Sequence, residues 1–266
     1  MLEKPYLIFD AGGTTVFPNT ELLIQFARKY GITLTNENLY ESCYRLINLL
    51  DTQDTFPSNP WPNGYTRAVL DVLGFSSPNA SRMALDVNNY HQQKSLWTFT
   101  YPWAHTVLSK LTEMGYRMSI LSNSDGRTRQ IFDELNLSQY FEYIFDSKYL
   151  KCEKPDRRIF DIVLSQISIH PKNFLYIGDI YKIDILGANH AGIGEIHLNP
   201  LRLYRNHPGF HLDNKTFIES WLTSYINYPA QFTSKLFPFS NIGGIKSVTR
   251  TDRLFPKEHL SKIVTH

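Results

Sequence analysis

Three short apolar runs in this chain each stop on a polar residue: YLIF at 6–9 runs into Asp10, MSIL at 118–121 into Ser122, and FLYIG at 174–178 into Asp179. A short strand that is apolar at every position is buried on both faces, as in parallel sheets covered by helices on either side. Between and beyond these runs apolar residues recur at three and four. Leu22, Leu23, Phe26, Ala27 and Tyr30 predict a helix with Asn19 as N-cap and Gly31 as stop; Leu39, Cys43, Leu46, Ile47 and Leu50 predict a second, and Tyr65, Val69 and Leu73 a third. Val107, Leu108 and Leu111, then residues 127–137, then Phe160, Val163, Leu164 and Ile167 predict three more. YIF at 143–145 reads as a short strand, AGIG at 191–194 as a turn and EIHL at 195–198 as the last strand. Such alternation predicts an α/β fold, Rossmann-like, with a parallel sheet and right-handed connections. Residues 18–96 show no strand pattern and read as a helical insert, interrupted by the proline-rich connector FPSNPWPNG.

A chain of 266 residues holds one large domain, or a domain with a second inserted in it. Its 42% apolar and 20% charged residues are those of a soluble globular protein, and a net charge of +2 gives no case for a nucleic-acid partner. The charge is uneven: residues 201–266 carry nine Lys/Arg against four Asp/Glu. Lys235, Lys246, Arg250, Arg253, Lys257 and Lys262 lie among Phe237, Phe239, Ile242, Ile245 and Leu254, a basic C-terminal tail that could meet an acidic partner or membrane surface, or pack on the core as an extra helix. One helix is predicted there, around Ile218 to Tyr225. Cys43 and Cys152, the only cysteines, have neither pairing nor metal-ligand spacing, which suits a reducing, cytoplasmic setting. No apolar run is long enough for a transmembrane segment, and Glu3 and Lys4 before a five-residue apolar run do not read as a secretion signal.

In an open α/β sheet the ligand site lies at the carboxyl ends of the strands. Four polar clusters fall there: Asp10; Ser122 with Asn123; Lys154; and Asp179 with Asp184. An aspartate after a strand is often only a turn former or helix cap. Together the four make a phosphoryl-transfer set. Asp10 can attack phosphorus and form an aspartyl-phosphate. A Mg²⁺ held by Asp10 and Asp179 would neutralise the phosphoryl oxygens. The Ser122 hydroxyl, the Asn123 side chain or amide and the Lys154 ammonium would hold the remaining oxygens.

This constellation resembles the haloacid dehalogenase (HAD) superfamily. The resemblance covers residues 5 to about 198 and rests on FDAGGT, ILSNSD, KCEKPDRRIF and YIGDIYKIDILGANHAG. It implies a HAD core over 1–17 and 97–200, a C1-type helical cap over 18–96, and a C-terminal extension over 201–266. D-A-x-G-T and SNSDGR look most like the REG-2-like branch. The resemblance further implies Asp10 as nucleophile, Thr14 orienting it, Ser122 and Asn123 gripping phosphate, and Lys154 holding both nucleophile and phosphate. It implies Mg²⁺ as cofactor, with Asp10, Asp179 and the backbone carbonyl of Gly12 as ligands and Asp184 as ligand or close support.

Gly12 is the departure. Phosphatases of the superfamily carry an acid there that protonates the leaving oxygen and then activates water, help worth about 10²–10⁴-fold. Three readings follow. One is a phosphatase for good leaving groups such as aryl phosphate or phosphotyrosine, on a small molecule or a phosphoprotein, since a phenol has a pKa near 10. The second is a non-catalytic binding or scaffold protein that keeps the fold. The third, a dehalogenase, fits less well, because such enzymes dispense with metal and the G-D-x-x-x-x-D acids suit magnesium. His91 and Asp54 could supply a base from the cap, though a lone histidine is more often packing. Asp125 with Arg127 reads as a structural pair, and Trp61 as loop packing.

Overall fold

The computed structural model describes residues 4–54, 63–204 and 210–212. The connector's residues 55–62 with Trp61, the helix expected around 218–225 and the basic tail lie outside the described residues.

From the N-terminus the order is β1 (Tyr6–Phe9), α1 (Thr20–Lys29), α2 (Asn36–Asp51), α3 (Tyr65–Val72), α4 (Pro78–Gln93), α5 (Pro102–Glu113), β2 (Met118–Ser122), α6 (Thr128–Glu134) and β3 (Tyr143–Asp146). Then follow the single turn α7 (Ser147–Leu150), α8 (Arg157–Ile167), β4 (Phe174–Gly178), a π-turn at Tyr181–Ile185 running into α9 (Leu186–His190), β5 (Gly194–Leu198) and β6 (Phe210–Leu212). The strands form one six-stranded sheet in the order β3-β2-β1-β4-β5-β6, and every pair is parallel.

Alternate residues of the central strands enter opposite cores. Leu7, Phe9, Met118, Ile120, Leu175 and Ile177 pack with Val107, Leu108 and Leu111 of α5 and Ile131 and Phe132 of α6. Tyr6, Ile8, Leu121, Phe174 and Tyr176 pack with Ile159, Phe160, Val163 and Leu164 of α8 and Ala188 of α9. Period-two burial on both faces is why these strands read as unbroken apolar runs.

Helices α1–α4 bury a cluster of their own that includes Leu23, Ala27, Leu46, Val69, Leu70, Met83 and Val87. Asn19 caps α1 by accepting the Leu22 N–H at 3.0 Å, as its residue type predicts. The chain leaves and re-enters the sheet layer at Phe17 and Phe99, whose backbones bond to each other in both directions at 2.7 and 3.2 Å.

Several elements differ from the sequence reading. Helix α4 was not separately expected: its buried stripe is Ala80, Met83, Ala84 and Val87, largely small side chains with little contrast against their neighbours. The sheet does not end at 195–198, because Phe210–Leu212 adds a sixth strand beside β5. Three residues are too few to show a period. The π-turn and α9 were also unread, since Tyr181–Ile185 alternates apolar and charged residues, a period of two that does not mark a helix, and all five are buried.

Candidate active site

The strand order reverses at β1, whose neighbours are β2 on one side and β4 on the other, and a crevice at the carboxyl ends follows from that reversal. Asp10 stands just past β1 and Asp179 just past β4. Between them the loop after β1 turns at Gly13, with φ +80°, where a Cβ would stand 2.1 Å from Asp179 Oδ2. Glycine is required there twice, for the left-handed backbone and for the close approach of the acid. Gly178 is needed for space alone: a Cβ there would meet Asp184 at 2.5 Å.

Lys154, only 1% exposed, organises the acids. Its Nζ donates to Asp10 Oδ1 at 2.5 Å, Asp184 Oδ1 at 2.7 Å and the Tyr176 hydroxyl at 2.7 Å. Tyr176 OH in turn lies 3.1 Å from Asp184 Oδ1, and the Ile180 N–H donates to Asp184 Oδ2 at 3.0 Å. Both Asp184 oxygens are thus engaged by protein donors. Asp179 differs: Oδ1 accepts from Thr14 Oγ1 at 3.4 Å, while buried Oδ2 has no hydrogen-bond partner. One oxygen from each of Asp10, Asp179 and Asp184 lies within 4.8 Å of the others.

Three buried carboxylates thus surround one ammonium. Burial lifts the Asp10 carboxyl to about 7 against the pull of Lys154. Burial, then the neighbouring Asp10 and Asp184, pushes Asp179 well above the usual carboxylate range. Burial alone would lower Lys154, but Asp10 and Asp184 outweigh it and hold the ammonium above its ordinary value. The excess negative charge, the all-oxygen donor set and the orphaned Asp179 Oδ2 fit a hard divalent cation such as Mg²⁺.

Asp10, Gly12, Ser122, Asn123 and Lys154 line one cavity of about 100 Å³, which Cys43, Ile47, Tyr65 and His91 of the insert close together with Trp97 just beyond it. The structure therefore brings the expected site residues to one end of the sheet, with corrections of detail. Thr14 bonds Asp179, and Thr15 is the threonine that reaches Asp10, through its backbone carbonyl at 3.2 Å. The φ +80° turn at Gly13 swings Thr14 past the first acid to the second. The Asn123 carboxamide is engaged with Lys154 at both ends, accepting its N–H at 2.8 Å and donating to its C=O at 2.9 Å. That side chain braces the lysine's loop. Asp125 and Arg127 do form an ion pair, at 2.5 Å, and Arg127 also donates to His91 O at 2.9 Å. His91 Nδ1 accepts the Leu96 N–H at 3.0 Å and Nε2 lies 3.3 Å from Arg127 Nη2, so both ring nitrogens are in use. Asp54 is exposed.

Sequence reasoning missed Asp51, at the end of α2. It is 2% exposed and accepts the Tyr181 N–H at 2.9 Å, the Lys182 N–H at 3.0 Å and the Tyr204 hydroxyl at 2.7 Å. An insert residue thereby caps the turn that leads from Asp179 to Asp184. The Asp179 carbonyl oxygen is held from the other side by His197 Nε2 at 3.0 Å. An acid closing an amphipathic helix was the only signal for Asp51, and its partners lie 130 or more residues away. Asp51→Ala strands two backbone donors and a hydroxyl, and is expected to cost about 2–4 kcal/mol in urea unfolding. Asp51→Asn, which keeps an acceptor, should lose less; equal losses would show that the site tolerates an unbonded turn.

Residues 63–197 match the family model described as haloacid dehalogenase-like hydrolase. Over 172 residues the chain is 27% identical to the glyceraldehyde 3-phosphate phosphatase of Methanothermobacter thermautotrophicus, covering 64% of this chain and 71% of that one. It is 30% identical over 90 residues to haloacid dehalogenase-like hydrolase domain-containing protein 3 of Mus musculus, covering 34% of this chain and 36% of that one. The solved HAD-hydrolase YfnB of Bacillus subtilis, bound to magnesium, is alike in fold, with TM-score 0.55 and 19% identity over 83% of this chain and 99% of that one.

Proposed function

Because the chain belongs to the haloacid dehalogenase-like hydrolases, we propose that it is a Mg²⁺-dependent phosphatase in which Asp10 attacks phosphorus, selective for substrates with a good leaving group. The observation that carries this reading is Lys154 seated on Asp10 beside the orphaned Asp179 Oδ2. Asp10 and Asp179, with the Gly12 carbonyl, would hold the cation; Asp184, both of whose oxygens are engaged, serves as counter-ion to Lys154 and support. Bound magnesium would supply positive charge to the phosphoryl oxygens. Lys154 fixes the Asp10 carboxylate, and Ser122 at the cavity wall is the hydroxyl donor to phosphate.

A small phosphate ester or acyl phosphate suits a cavity of about 100 Å³ better than a folded phosphoprotein, and the likeness to the archaeal phosphatase supports a small-molecule substrate. Helices α1–α4 serve as a C1-type cap in this reading, and the D-A-x-G-T and SNSDGR stretches support the REG-2-like branch. A cytoplasmic setting belongs to the same proposal and is supported by the unpaired Cys43 and Cys152. No helix among the described residues is long and apolar enough to cross a membrane.

Selectivity follows from Gly12, which leaves no carboxyl to protonate a departing alkoxide. With Mg²⁺ present, an aryl phosphate is expected to release its leaving group about 10²-fold or more faster than an alkyl phosphate, measured as kcat/KM, which reports the first half of the reaction. Equal rates on the two would sink the selectivity. Gly12 also favours the second reading, a protein that binds a phosphorylated ligand without turnover; binding of phosphate esters with no release of phosphate from either would establish that instead.

A further inference from the structure

The space that a side chain on Gly12 would fill is taken. A Cβ there would stand 3.2 Å from Trp97 Cζ3 and 3.5 Å from Cη2. Gly12 does not have a positive φ, so its backbone accepts any residue and the indole is what restricts it. Trp97 is itself held in place. Its backbone N–H donates to Ser95 Oγ at 3.1 Å, its ring lies 5.4 Å from that of Tyr65 at 53°, and it packs against both the sheet core and the insert's cluster.

Covalent phosphoryl transfer has two halves. In the first, an Asp10 oxygen forms a bond to phosphorus while the bond to the leaving oxygen breaks, and that oxygen departs with the electron pair. An aryl oxide needs no proton to leave. In the second, water bonds to phosphorus, the bond to Asp10 breaks, and the water's proton must go to a base. Among the described residues of the cavity the titratable groups are otherwise committed. Asp125 is paired with Arg127 at 2.5 Å, which overrides burial and holds the carboxyl below its usual range. His91 receives the Leu96 N–H on Nδ1 at 3.0 Å and faces the Arg127 guanidinium with Nε2 at 3.3 Å, so both ring nitrogens are engaged. Burial pushes the Cys43 thiol up to about 12, so it stays neutral.

We propose that Trp97 occupies the place of the missing proton-transfer group, so that Asp10 carries a long-lived phosphoryl group and its hydrolysis limits turnover. The inference rests on the phosphatase reading above. It makes the phosphorylated chain the prevailing species whenever substrate is present. The indole, with Tyr65, Ile131 and Phe132 around the same cavity, offers the leaving group an apolar and aromatic wall.

The test uses the full chain with p-nitrophenyl phosphate and Mg²⁺, quenched in acid. Intact-mass measurement should show one added phosphoryl group on most of the protein, removed by hydroxylamine as an acyl phosphate and absent in Asp10→Asn. Rapid mixing should show a burst of one p-nitrophenol per chain before a slower steady rate. The double variant Gly12→Asp, Trp97→Ala, which makes room for an acid and supplies it, should shorten the lifetime of the adduct by about 10²–10⁴-fold and erase the burst. Steady turnover by the wild type with neither burst nor adduct overturns the inference and leaves the phosphatase reading standing. Folded wild type that gives no phenol and no adduct overturns both.

Discussion

Asp10→Asn is expected to abolish turnover and, in metal-free buffer, to make the protein more stable than the wild type. Loss of a covalent nucleophile should reduce kcat by on the order of 10³-fold or more. The stability gain has a separate cause. Asp10, Asp179 and Asp184 are 6%, 1% and 0% exposed, and the single Lys154 ammonium pairs with only Asp10 and Asp184. Asparagine removes one buried negative charge and keeps an oxygen for Lys154 Nζ to bond. A gain of about 1–2 kcal/mol in urea unfolding is expected in EDTA. Its pH dependence follows from the raised carboxyl. A folded-state value of about 7 means that the native wild type binds more protons than the unfolded chain between the ordinary carboxylate value and 7. Wild-type stability therefore falls as pH rises through that window, and the advantage of Asp10→Asn grows across it. Magnesium should reverse the order. At a hundredfold excess over Kd it contributes about 2.7 kcal/mol to the wild type, and less to a variant short of one ligand. If Asp10→Asn is less stable than wild type in EDTA, the three acids are not in electrostatic conflict and the metal-site reading loses its main support.

Lys154→Met should have the largest effect on stability. It deletes the ammonium and leaves Asp10 and Asp184 without their ion pairs of 2.5 and 2.7 Å, in surroundings where both carboxylates are buried. Breaking a buried pair from one side costs about 3–5 kcal/mol. That is a large share of the 5–15 kcal/mol that holds a typical domain folded. In EDTA the variant is expected to unfold at much lower urea, and Mg²⁺ should recover part of the loss by supplying positive charge to the same acids. A second variant, Lys154→Met with Asp184→Asn, separates charge from shape. It removes one of the two stranded carboxylates and should regain stability that a simple packing defect would not. Recovery by neither magnesium nor the second substitution would mean that Lys154 acts by filling space.

What was legible in the sequence lies along single strands and helices. YLIF, MSIL and FLYIG announced themselves as strands because the apolar requirement of a doubly covered sheet falls on every consecutive residue. The ends of those strands in turn announced Asp10, Ser122 and Asp179. Lys154 and Asp184 were found by the same route, as polar residues one loop away. Tyr176 was not found, although it bonds both Lys154 and Asp184, because a tyrosine within an apolar run looks like core until its hydroxyl is placed. Asp51, the Thr14 bond to Asp179, the Asn123 brace on Lys154 and the indole over Gly12 span from 31 to 165 residues of sequence or link side chains with no shared period. No local pattern encodes such pairings.

The sequence by itself determined that this chain forms a parallel α/β sheet, that its strand ends and the loops after them carry Asp10, Lys154, Asp179 and Asp184, and that a glycine stands at position 12. These are properties of residue type and short-range period, which a chain carries whether or not it has folded. Only the tertiary structure decided how the charges balance and which side chain packs against Gly12. The shortage of positive charge around Lys154, the unpaired oxygen of Asp179 and the indole packed on Gly12 all arise where strand ends and the helical insert converge. Their energies depend on the burial that convergence creates, because a charge or a filled space has its effect only against the neighbours that folding brings to it.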